Sequence, residues 1–93
     1  MVRHIVFIKL EDFSKANEVK EKLESLKDNI DFIRFLEVGV DFNRSERAYD
    51  IALIVDVDNK EDLERYRVDE YHQEIIKYLK SLNVKTKVVD YNK

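Results

Sequence analysis

Two segments, residues 2–10 (VRHIVFIKL) and 48–57 (AYDIALIVDV), are apolar on both of their alternating sets of side chains. In the first, Ile5 and Phe7 point to one side while Val6 and Ile8 point to the other. In the second, Ala52 and Ile54 oppose Ile51, Leu53, Val55 and Val57. A strand with one wet face alternates apolar with polar residues, so these two strands belong in the middle of a sheet covered on both sides.

The rest of the chain supplies the partners. Residues 32–41 and 83–91 read as two further strands, and the polar stretch DFNRSER joins strands two and three as a hairpin. Ser14 is the expected N-cap of a helix whose apolar face is Ala16, Val19, Leu23 and Leu26, with Asp28-Asn29 as its stop. Asp58 or Asn59, with Glu61 or Asp62 three residues on, caps a second helical region that ends near Asn83. The order is βαββαβ. With right-handed crossovers this predicts an α+β, ferredoxin-like fold: an antiparallel four-stranded sheet, order 4-1-3-2, with both helices on one face. The other face would then leave several hundred Å2 of apolar surface open, on the scale of the largest patches of ordinary monomers. A second copy packed sheet against sheet is its expected cover, making a homodimer.

Composition agrees and prunes. The 93 residues, 44% hydrophobic and 40% charged, form one domain spanning 1–93. A chain of this size buries only roughly 60–65% of its unfolded surface, so burial between copies helps it. There is no cysteine, hence no disulfide and no thiolate metal site. One glycine and no proline leave no phosphate-cradling loop. The net charge of −3 is spread over mixed signs, which argues against a nucleic-acid partner. The first ten residues enter an apolar alternation directly, so no membrane partner and a cytoplasmic location are expected.

The second helical region carries a phase error. An unbroken helix from Lys60 to Leu82 would continue the Leu63 and Tyr66 stripe through Glu70, Gln73, Glu74 and Lys77, all polar. The later apolar stripe is instead His72, Ile75, Ile76 and Leu79. A break near Val68-Asp69, with Asp69 as a new N-cap, lets both stripes face inward. Tyr66 and His72 then lean over the same edge of the sheet. A histidine near a helix N-terminus is held neutral and can take a proton near pH 7. A nearby phenol can donate to a developing oxyanion. The pair suits proton abstraction next to a carbonyl, against the plainer reading of two packed residues. His4 shares the Val6/Ile8 face, which is expected to lie between the two copies. No helical ligand pair or acidic cluster accompanies His4 and His72, so no metal is expected.

The chain resembles the stress-responsive α/β-barrel (Dabb) family. The resemblance runs through VRHIVFIKL, IRFLEVG, YDIALIVDV, LERYRVDEYHQEII and VVDY, covering almost the whole chain. It implies face-to-face dimers of ferredoxin-like subunits forming an α/β barrel. It also implies a pocket between the second helical region and the sheet, lined by Val6, Ile8, Ile51 and Leu53. A plant relative closes a linear polyketide by aldol chemistry. By that resemblance His72 and Tyr66 are the catalytic pair, with His4 as a pocket histidine and no cofactor. The family often has His-Pro where this chain has Asp69-Glu70, and a polar pocket position of the relative is Ile51 here. A small apolar carbonyl compound is the expected ligand. The rival is a non-catalytic stress protein with a closed pocket. An amino-acid-sensing module of the same topology fits less well, because the loop EDFSK lacks glycine.

Overall fold

The computed structural model describes residues 1–93. Its elements are β1 (Val2–Lys9), a 3-10 turn (Phe13–Lys15), α1 (Ala16–Asn29), β2 (Phe35–Val40), β3 (Ile51–Val57), α2 (Lys60–Val68), α3 (Glu70–Ser81) and β4 (Lys85–Asn92). All strand pairs are antiparallel and the sheet order is β2-β3-β1-β4, the expected order read from its other edge.

The last strand begins two residues later than expected, at Lys85, and two other boundaries differ for physical reasons. Asp12, not Ser14, makes the first cap: its Oδ1 accepts from the Ser14 backbone N at 3.0 Å and from Ser14 Oγ at 2.7 Å. That closes the 3-10 turn, and α1 itself begins at Ala16. The hairpin strands are also shorter than 32–41 and 48–57. At one end Ile33 leaves the extended path to bury itself in the core. At the other, the Asp50 carboxylate turns inward, accepting from the Leu10 backbone N at 2.6 Å and from Arg44 Nη2 at 2.8 Å. Its burial works to raise the Asp50 pKa, but these donors and Lys9 outweigh it and hold it below the usual carboxylate value.

The register shows which face the helices cover. Val2, His4, Val6 and Ile8 lie with Val55, Leu53 and Ile51 on the helix side, where Val19, Leu23, Leu26, Ile75 and Leu79 complete the core. Each such side chain contributes about 1.5–3 kcal/mol by leaving water. This corrects the face expected for His4. The Val6/Ile8 side is not between copies but under the helices. Both faces of β1 are apolar, so alternation alone does not say which one the helices take.

The open face carries rows set by strand pairing: Phe35, Asp56, Arg3, Tyr91; then Glu37, Ile54, Ile5, Val89; then Gly39, Ala52, Phe7, Lys87. Phe7, Phe35, Val89 and Tyr91 are all exposed. Asp56 is the exception on this face, being buried under Arg3 (2.8 Å, both guanidinium contacts) and Lys93 Nζ (3.1 Å). The Arg3 guanidinium holds its carboxyl below the usual range despite the burial. β4 pairs with β1 at the sheet edge, and of its helix-side residues Val88 is half exposed. No helix is long and apolar enough to cross a membrane.

Candidate active site at the helix break

The break stands where the phase error required it. Asn59 caps α2 by accepting from the Asp62 backbone N at 2.8 Å. After Val68 the backbone of Asp69 is extended (φ −58°, ψ 137°), and the Asp69 carboxylate accepts from the His72 backbone N at 3.1 Å. One helix ends and another starts within a single residue. The turn between them brings Tyr66 and His72 together, with ring centroids 4.1 Å apart and planes inclined by 34°. His4 reaches the same place from β1, its ring set edge-on to Tyr66 at 5.7 Å.

These three rings stand around a recess between the sheet and the helices. Its inner part, about 190 Å3, is walled by Val6, Ile8, Leu53, Ile75 and Leu79 together with the rings. Its outer part, about 140 Å3, adds Glu64, Arg67 and Asp90. Apolar depth and a polar mouth thus meet at Tyr66 and His72. A larger groove of about 400 Å3 lies on the open sheet face around Gly39, Ala52 and Phe7. It is a shallow part of the exposed apolar face and has no acid–base pair like that of Tyr66 and His72.

The electrostatics of the recess are set mainly by burial. Tyr66 is 1% exposed, and burial pushes its phenol well above the usual range, with Asp69 adding to the effect. Tyr66 Oη has no hydrogen-bond partner and is the one buried side-chain polar atom left so. Burial lowers the His72 pKa; the His4 ring adds to this, while the Arg67 carbonyl and Asp69 oppose it. His72 is therefore neutral at pH 7, a base that can accept a proton. A buried phenol that keeps its proton is a donor. The two are complementary.

Of the residues the sequence singled out, His4, Val6, Ile8, Leu53, Tyr66 and His72 all line the recess. Ile51 does not. It is buried, but it pairs with Ile8 at the end of β1 remote from His4, so it sits in the core beyond the recess wall. One further residue belongs here: Asp90 on β4 pairs in register with His4, and its carboxylate hydrogen-bonds His4 Nδ1. Within the exposed strand KTKVVDYN a lone acid looks like ordinary surface. Only the β1–β4 register, which puts Asp90 on the helix side opposite His4, would have marked it. No group of three or more His, Asp or Glu side chains is placed to hold a metal ion.

A four-stranded antiparallel sheet with helices on one face and an interrupted second helix over a small recess defines a ferredoxin-like fold. The family profile for the stress responsive A/B barrel domain matches residues 2–93, and the chain belongs to that family. Among solved structures it is similar to a dimeric protein of unknown function with a ferredoxin-like fold from Bacteroides fragilis. The identity is 33% and the TM-score 0.86, over 99% of this chain and 95% of that one. It is also similar to a dimeric ferredoxin-like protein from Thermobifida fusca, at 19% identity and a TM-score of 0.85, covering 99% and 90%. A hydroxynitrile lyase from Passiflora edulis shares the fold at 16% identity and a TM-score of 0.81, covering 97% and 90%. No curated protein matches the chain.

Proposed function

We propose that the protein is a cytoplasmic homodimer, one barrel domain per copy, that binds a small, largely apolar carbonyl compound in the recess at the helix break. The observation that carries this reading is the unpartnered Tyr66 hydroxyl, buried beside a neutral histidine. A buried polar group left without a partner costs about 1–3 kcal/mol, so a fold keeps one where something outside the chain supplies the acceptor. A ligand carbonyl is such an acceptor. Its alkyl or aryl portion would fill the space between Leu53, Ile75 and Leu79. In the chemical step His72 takes the proton from the carbon next to the carbonyl, and Tyr66 donates to the oxygen on which the negative charge develops. The same arrangement serves an intramolecular aldol closure, in which the enolate carbon attacks a second carbonyl of the same molecule, its C=O π bond opens, and the oxygen takes back the proton held on His72. No cofactor is needed for either step.

The homodimer is supported by the open sheet face, where Phe7, Phe35 and Val89 are exposed and Ile54 is half-buried, and by the dimeric relative at 33% identity. A monomeric mass by light scattering at micromolar concentration would count against it.

The recess reading is tested by thermal shift with β-diketones and aromatic acids as probes. We expect a shift for wild type that shrinks in His72→Ala and Tyr66→Phe; equal shifts in all three proteins would refute a role for the pair. A second reading, a non-catalytic stress protein, is favoured by one observation. The inner recess of about 190 Å3 is below the roughly 300 Å3 of common ligand pockets. Under that reading no probe shifts the melting temperature of any of the three.

A further inference from the structure

The break between α2 and α3 does more than turn His72 inward. Because α2 stops at Val68, the carbonyl of Arg67 loses the acceptor role it would have had in a continuous helix. It is not left vacant. His72 Nδ1 lies 3.3 Å from it, and Gln73 Nε2 donates to it at 2.6 Å. The two side chains use the two lone pairs of one carbonyl oxygen. Meanwhile the His72 backbone N donates to the Asp69 carboxylate, so the residue is fixed at its backbone and at its ring.

A carbonyl has no proton to give. A neutral imidazole bonded to it through Nδ1 must carry its hydrogen on Nδ1 and leave Nε2 as the free lone pair. The ring's recorded side-chain contact is at Nδ1, and the ring lines both parts of the recess. We propose that the helix break is a tautomer clamp: the Arg67 carbonyl, aimed by Gln73 and locked by the Asp69 cap, holds His72 in the Nδ1–H form with Nε2 as the proton acceptor. Asp69 and Gln73 are thereby positioning residues. This deepens the base role of His72 and rests on that reading for its purpose, though not for its geometry.

The charged and titratable groups around His72 are His4 from β1, Glu64, Tyr66 and Arg67 from α2, Asp69 at the break and Asp90 from β4. Besides the Arg67 carbonyl, the Tyr66 backbone carbonyl acts on the ring as a weaker acceptor, and like that of Arg67 it has no proton to give. The chain has only two histidines, so a long-range 1H–15N correlation spectrum contains only two imidazoles, told apart with His4→Gln.

At about pH 8, above the unperturbed histidine value of about 6.5, wild-type His72 is expected to show the Nδ1–H pattern in at least about tenfold excess. Gln73→Ala, an exposed change that leaves the core intact, lowers that excess about fivefold, as loss of one ordinary hydrogen bond would. Asp69→Ala lowers it similarly, while Asp69→Asn, which also caps a helix, keeps it. Tyr66→Phe leaves it unchanged. An Nε2–H or evenly mixed pattern in wild type overturns the clamp, as does an unchanged pattern in both Gln73→Ala and Asp69→Ala. Because no ligand is used, intact tautomer patterns with no β-diketone shift would sink the binding reading and leave the clamp standing.

Discussion

The two halves of the helix layer are built to different rules. Beside β2, Val19, Ile30, Ile33 and Val38 are at most 7% exposed and none of them lines the recess, which α1 meets only through Leu23 and Leu26. Under α2 and α3 the helix is cut in two, a hollow remains, and a phenol is buried with no partner. The first half maximises burial. The second gives up stability to hold two titratable rings side by side, a concession expected where a surface has work other than folding.

That contrast can be broken by substitution. The largest effect is expected on the closed side: Ile33→Ala should cost about 2–5 kcal/mol in urea unfolding, since a tightly filled site cannot collapse around the missing atoms. On the open side Asp69→Ala removes the cap on which α3 starts and should cost about 1 kcal/mol. Tyr66→Phe should move the other way. Deleting a buried hydroxyl that bonds nothing should raise stability by about 1 kcal/mol, whereas a loss of that size would mean the hydroxyl has a partner inside the fold.

The smallest effect is in pH. The folded-state pKa of His72 is depressed by burial, so the unfolded chain binds the proton more readily. Its contribution is present above the unfolded value of about 6.5 and is lost as pH falls below that value toward the folded one. Stability measured between about pH 7 and 5 should therefore decline less steeply in His72→Gln than in wild type. Asp50 and Asp56, whose folded values are also depressed, act in a lower window, being lost as pH falls below about 3.9 through their folded values. The two contributions are separable by where they fall.

Much of this was legible in the residues because periodicity reports burial. The four-stranded order followed from where apolar runs and helix faces alternate. The cut at Asp69 followed from stripes that no straight helix could bury together. What stayed hidden depended on relations between distant segments. Val6/Ile8 and Ile5/Phe7 are equally apolar, so only packing shows which pair meets the helices. Asp90 has no local mark and acquires its place from pairing with β1. Ile51 shares a face with Leu53 but lies past the end of the recess. Asp50 shortened a strand because its carboxylate found donors on Leu10 and Arg44, a contact no local pattern encodes.

The strand that brings in Asp90 is the last, and it pairs with the first: Val2 faces Asn92, and His4 faces Asp90. The break at Asp69 is a local event, formed by residues a few positions apart. The histidine–aspartate contact spans 86 positions and cannot exist until both ends of the sheet have met. Loop closure over such separations is slow relative to helix formation, so the mouth of the recess is completed late in folding. An intermediate with both helices docked but β4 unpaired would have its tyrosine and second histidine in place while β1 showed a bare, apolar edge. Such an edge is a site for pairing with other chains. For this protein the step that finishes the recess is also the step that covers the bare edge of β1.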